Sequence, residues 1–133
     1  MRIEGWEKIA RAHIEEAANK EFEWGAVDCL LFACDLAFRM TGKDPAESVR
    51  GQYTNEDEAR QIALSLNKTP DLIMDEYFPR IAMNFARRGD IVYRRTDTGF
   101  NFGIVWDGKA AFKTAGKGIT IERMEGLTAW AVD

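Results

Sequence analysis

The sequence predicts an α+β domain, with helices in the first half of the chain and an antiparallel sheet in the second. Three observations carry that reading. From Cys29 to Met40 only Asp35 and Arg39 are polar, so a helix there is apolar on nearly all sides and must be buried. From Arg80 onward the period shortens: Ile81, Met83 and Phe85 alternate with Ala82 and Asn84, and the segments that follow are short and separated by glycine or charged turns. Asp107-Gly108 between two of those segments is the strongest hairpin signal in the chain. A buried helix against one face of an antiparallel sheet accommodates all three.

In chain order, Trp6, Ile9, Ala10, His13, Ile14, Ala17 and Ala18 recur at helical spacing, while Glu7, Lys8, Arg11, Glu15 and Glu16 fall elsewhere. This predicts an amphipathic first helix over Trp6 to Ala18. His13, the only histidine, lies on its apolar face, either as a packed, hydrogen-bonded core residue or as a group reaching toward Cys29. The second helix is marked at both ends: Asp28 is a good N-cap, Gly25 supplies a bend before it, and Thr41-Gly42 forms a stop. Cys29 then sits in the first turn, where free backbone N–H groups and the helix dipole favour a thiolate.

Lys43 to Tyr53, with Pro45 and Gly51, reads as an irregular loop. Thr54 is the expected N-cap of a third helix, with Asp57 in a capping-box position and a stripe of Ala59, Ile62, Ala63 and Leu66 ending near Asn67. Thr69-Pro70 starts a short fourth helix that Pro79 stops. After the alternating segment from Arg80, strands are expected at Asp90–Arg95, Asn101–Trp106, Ala110–Thr114, Gly118–Arg123 and Ala129–Val132. The joints between them are Thr96–Phe100, Asp107-Gly108, Ala115–Lys117 and Glu125–Leu127.

At 133 residues and 46% hydrophobic composition, the chain fits one domain over residues 1–133 with a core that needs no staples. A formal charge of −4 argues against a nucleic-acid partner, because neutralising phosphates requires a basic surface. Cys29 and Cys34 lie five apart on one helix and point in different directions, so no disulfide joins them. The first twenty residues carry Glu4, Glu7, Glu15 and Glu16 and no apolar core segment, which excludes a signal peptide, and no apolar run is long enough for membrane insertion. The expectation is a chain that is cytoplasmic as synthesised.

A cysteine at a helix start is a weak signal alone, since many buried cysteines are inert. Here it stands in an ordered pattern: Trp24-Gly25-x-x-Asp28-Cys29, an apolar helix, Arg88-Gly89-Asp90-Ile91-Val92, then Phe102-Gly103-Ile104-Val105. The pattern resembles the NlpC-type cell-wall cysteine peptidases, a papain-like superfamily, and most closely its compact phage and prophage tail-associated branch. Arg50-Gly51-Gln52-Tyr53 and Ala129-Trp130-Ala131-Val132 add to the resemblance, which runs from Phe22 to the C-terminus.

The resemblance implies a papain-like fold and thiol-dependent hydrolysis of an amide bond in a peptidoglycan stem peptide. Its partners would be cell-wall peptide or glycan, or phage tail proteins. Cys29 matches the nucleophile, and its own N–H would help hold an oxyanion. The family's histidine position is occupied by Asn101, which cannot accept a proton near neutral pH. The third, orienting position falls near Phe112 or Lys113, neither suited to orient an imidazole. Several accounts of Asn101 stay open: a degenerate base in an inactive pseudoenzyme, a site where His13 substitutes as base, a weakly active thiol with no local base, or a different register in which Asn101 is merely a loop residue.

The cleft-lining candidates are Trp24, Asp28 and Phe102. Trp106, Trp130, Phe100 and Phe112 line the same groove or belong to the core. Asp28 is read as a cap, Asp35 as the partner of an arginine, and Asp90 as the end of a turn. No ligand spacing points to a metal, no cofactor is expected, and Lys113 to Gly118 reads as a hairpin rather than a phosphate cradle.

Overall fold

A computed structural model describes residues 1–133. Four helices come first: α1 (Trp6–Ala18), α2 (Cys29–Thr41), α3 (Glu56–Ser65) and α4 (Pro70–Asp75). Six strands follow: β1 (Arg80–Ile81), β2 (Ile91–Thr96), β3 (Gly99–Trp106), β4 (Lys109–Thr114), β5 (Gly118–Glu122) and β6 (Thr128–Trp130). The protein is thus α+β, with every strand pair antiparallel.

Helix α2 occupies the centre. Asp28 Oδ1 accepts from the Leu31 N–H at 2.8 Å, and Gly42, at φ 81°, ends the helix by donating to the Phe38 carbonyl. Leu31, Phe32, Ala33, Cys34, Leu36, Ala37 and Met40 are buried, while α1 packs on one flank and β3 and β4 lie below. Asp35 pairs with Arg50 at 2.7 Å, as its position on the polar edge predicts.

The sheet order is β1-β6-β2-β3-β4-β5. Strands β2 to β5 form the expected meander, but β6 returns across the sheet to lie between β1 and β2, so the second half is not a simple meander. Asp107 (φ 51°) and Gly108 (φ 77°) both adopt the positive φ that a type I′ hairpin turn requires. One face of the sheet, with Ile91, Tyr93, Phe102, Ile104 and Trp130, packs on the helices. The other carries Val92, Val105, Ala110, Phe112 and Ala129 under Ile81, Met83, Met124 and Leu127.

Three local expectations are corrected. The alternating stretch from Arg80 pairs only through Ile81. Its partner β6 has three residues and is shared with β2, so Met83–Phe85 turn into a 3₁₀ segment that leaves Phe85 exposed. The cap of α3 is Asn55 rather than Thr54: Asn55 Oδ1 accepts from Glu58 N, while the longer Glu58 side chain reaches back to the N–H and hydroxyl of Thr54. Asp90 does more than end a turn. Its carboxylate accepts from Arg2 Nη2 at 2.8 Å, Val132 N at 2.9 Å and Arg87 N at 2.9 Å. Arg2 also donates to the carbonyls of Val132 and Arg88, both at 2.7 Å, and its ring neighbour is Trp6. The Arg2–Asp90 clasp closes the first residues of the chain onto the last.

The feature that positions the site is a fork in the sheet. β3 and β4 pair only from Ile104↔Ala111 to Trp106↔Lys109, although β3 begins at Gly99 and β4 runs to Thr114. Gly103 sits where they part. A Cβ there would lie 2.6 Å from the Ala111 carbonyl oxygen and 2.8 Å from the Phe112 ring, so no larger residue fits. No helix is long and apolar enough to cross a membrane.

Candidate functional site

The fork opens a cleft of about 770 Å³, with the start of α2 at its floor and α3 along one wall. Trp24, Asp28 and Phe102 line it as expected, together with Phe100 and Phe112. Trp130 does not: it is fully buried in the core with its indole N–H on Asp75 at 2.8 Å. Trp106 lies outside as well, flanked by the guanidinium groups of Arg11 and Arg88. The apolar stripe of α3 has a different use from ordinary core packing. No α3 residue is fully buried, and Ala59, Ile62, Ala63 and Leu66 face the cleft.

Asp28 organises the floor. Besides capping α2, its Oδ2 accepts from Gly25 N at 2.9 Å and from the Tyr53 hydroxyl at 2.5 Å. The Trp24-Gly25 bend passes so close to Tyr53 that a Cβ on Gly25 would sit 2.2 Å from the Tyr53 carbonyl oxygen. Burial, then the charge of Asp28, hold the Tyr53 phenol protonated by raising its pKa. Tyr53 is a site residue that sequence reasoning missed as such; its only signal was the Arg50-Gly51-Gln52-Tyr53 pattern.

Cys29 is 8% exposed. Burial pushes its thiol pKa up and Asp28 adds to the rise, against the main chain of Phe102, the side chain of Asn101 and the main chain of Leu30, which favour the thiolate. The structure therefore brings Cys29 and Asn101 together. Asn101 is itself held: its Oδ1 accepts from Arg94 Nε at 3.0 Å, and the other two guanidinium nitrogens of Arg94 grip Glu122 in bidentate fashion. Arg94 also lies over the Phe112 ring, 4.5 Å from its centroid. With Oδ1 taken by a donor that cannot accept, the amide orientation is assigned, and Nδ2 is the half left to donate, in keeping with the way Asn101 favours the Cys29 thiolate. Arg94 and Glu122 belong to β2 and β5, and nothing in the sequence placed them beside β3.

His13 is elsewhere. It packs against Phe32, with ring centroids 5.5 Å apart, and its Nε2 bonds the Phe32 carbonyl at 2.8 Å. It borders a second cavity of about 420 Å³ with Glu16, Asp35 and Arg39, whereas Cys29 faces the main cleft. The ring meets α2 one turn beyond Cys29, so His13 does not serve as a substitute base, which corrects that expectation. Since a carbonyl only accepts, Nε2 carries the proton. Burial lowers the pKa of the ring, the Phe32 bond opposing it. The single histidine should therefore titrate below 6.5 by NMR, as the Nε2–H tautomer above that point. A depressed pKa means that folding favours neutral His13, so its contribution to stability is present above pH 6.5 and is lost as pH falls through the folded value. A titration midpoint above 6.5 would contradict this burial.

Lys113 does not orient a site group either. Its ammonium donates to the carbonyls of Ala17, at 2.7 Å, and Lys20, closing the C-terminal end of α1. No three histidine, cysteine or acidic side chains converge as metal ligands.

A model of the family described as Domain of unknown function (DUF6950) matches residues 1–132. The chain belongs to that family. No curated protein matches the DUF6950 chain. The match spans both the helical half and the sheet, so the whole cleft, whose lining runs from Phe22 to Ala115, lies inside it.

Proposed function

We propose that this chain is an NlpC-type, papain-like domain of a phage or prophage tail, related to thiol-dependent peptidoglycan amide hydrolases, whose cleft holds cell-wall peptide or glycan without cleaving it. One observation carries the reading: the side chain that acts on the Cys29 thiol from the position of the expected histidine is the Asn101 carboxamide, fixed by Arg94. An amide cannot take the thiol proton, and general-base transfer is worth roughly 10²–10⁴-fold in rate. The raised thiol pKa works in the same direction, because the nucleophile is the thiolate. The aromatic walls and the size of the cleft suit an extended ligand.

A slow thiol hydrolase is the second reading, favoured by the retention of Cys29 at the start of α2 with donors where an oxyanion would form. Site-resolved alkylation with iodoacetamide separates the two. Cys29 should react slowly at pH 7, its rate climbing with pH and still climbing at pH 9.0, because burial holds the thiol pKa above that ordinary value. Asn101→His combined with Arg94→Gln, which removes the cation that would depress the new imidazole, should raise the pH 7 rate about tenfold or more. Fast alkylation of the parent protein at pH 7 would instead establish an activated nucleophile and overturn the binding-only reading.

A further inference from the structure

The floor beside Cys29 is chemically one-sided. Asn101 and Cys29 line the cleft together, and Asn101 Oδ1 is occupied by Arg94, which leaves the Nδ2 hydrogens as the donors that favour the thiolate. The Phe102 main chain, at the point where β3 has parted from β4, and the Leu30 main chain in the first turn of α2 face the same atom. All of these groups favour negative charge. Of the three acids along the cleft, Glu56 and Asp97 are exposed, and Asp28 has both oxygens engaged by Leu31 N, Gly25 N and the Tyr53 hydroxyl. Asp28 opposes an anion by its charge but offers no free acceptor. On the wall, Lys113 is 2% exposed, its ammonium held by the carbonyls at the end of α1, so no carboxylate neutralises it. Arg95 adds an exposed cation among the lining residues.

We propose that this floor is a receptor for a carboxylate group of a peptide seated in the cleft, with Asn101 Nδ2 and the Phe102 N–H as its donors. Arg94 is the positioning residue: by occupying Oδ1 it keeps the amide from presenting an acceptor. Glu122 holds Arg94 in turn. The inference rests on the reading of the cleft as a binding site and names the chemistry that it recognises. In this arrangement the residue that cannot take the thiol proton is the residue that recognises the ligand.

The test compares two alkylating probes of nearly equal size, iodoacetate and iodoacetamide, at Cys29. Both require the thiolate and the same access, so their rate ratio reports the preference of the site for a carboxylate, independently of thiol pKa. The reference is Cys29 of the same protein unfolded in urea. The folded protein should show an iodoacetate-to-iodoacetamide ratio about tenfold above that reference, the scale of a charge-assisted hydrogen bond. Asn101→Asp, which keeps the shape and reverses the polarity, should drop the ratio below the reference. Arg94→Gln should bring it back toward the reference, whereas a merely loosened cleft would change both rates alike. A folded-state ratio equal to or below the unfolded one overturns the proposal. A high ratio with fast alkylation at pH 7 would sink the binding-only reading and leave the receptor standing; slow alkylation with a flat ratio would do the reverse.

Discussion

Asp90→Ala is expected to cost about 3–5 kcal/mol of folding stability, the scale for breaking one partner out of a buried ion pair. The side chains of Arg2 and Asp90 are 3% and 2% exposed, so the mutation strands a guanidinium that water cannot reach. Arg2 would keep the carbonyls of Val132 and Arg88, but Val132 N and Arg87 N would lose their acceptor. Three hydrogen bonds meet at one carboxylate, and two of their donors, Arg2 and Val132, lie far from Asp90 in sequence. Urea unfolding of the parent protein, Asp90→Ala and Asp90→Asn checks this, with the asparagine variant intermediate because it keeps an acceptor without the charge. A loss under about 1 kcal/mol in Asp90→Ala would mean that the clasp adds nothing net, as some buried pairs do when their desolvation is counted.

Asp28→Ala should cost about 2–4 kcal/mol, combining a lost N-cap of about 1 kcal/mol with the stranding of the buried Tyr53 hydroxyl and the Gly25 N–H. Tyr53→Phe removes the hydroxyl together with its need for a partner and should cost only about 1 kcal/mol. The two mutations touch one network, so their effects should fall short of additive in the double variant. A second readout runs the other way. The charge of Asp28 helps hold the Cys29 thiol protonated, so Asp28→Ala should alkylate faster at a given pH while being less stable. Equal stability of Asp28→Ala and the parent protein would remove Asp28 as the organiser of the floor.

Both predictions turn on residues whose importance the sequence conveys unevenly. Helix α2 is legible because its cause is local: an apolar run, an aspartate before it and a glycine after it. The Asp107-Gly108 turn is legible for the same reason. The Met83–Phe85 segment misleads because alternation describes a strand only where a partner is present to pair with it, and β6 is too short to provide one. The return of β6 between β1 and β2 has no local signature, and neither has the contact of Asp90 with Arg2, 88 residues away.

The candidate site divides along the same line. The pairing of Cys29 with Asn101 follows from motif order, and Trp24, Asp28 and Phe102 stand in the cleft as that order implies. Arg94 and Glu122 could not be anticipated, because it is the sheet register that sets Arg94 opposite Asn101 and brings Glu122 within its reach. His13 shows the limit of a periodic stripe. The stripe placed the ring on the inner face of α1 but could not say which turn of α2 it would meet.

The closure of residue 2 onto residues 90 and 132 also decides how the domain carries load. Arg2 Nε is 2.7 Å from the Val132 carbonyl oxygen, so a pull between the two ends meets at one knot instead of shearing the sheet along its length. Tension would have to undo the Arg2 contacts before it reached β6, and the cleft around Cys29 would feel it only after that. The first and last residues therefore lie side by side, and a force applied between them bypasses the long axis of the sheet.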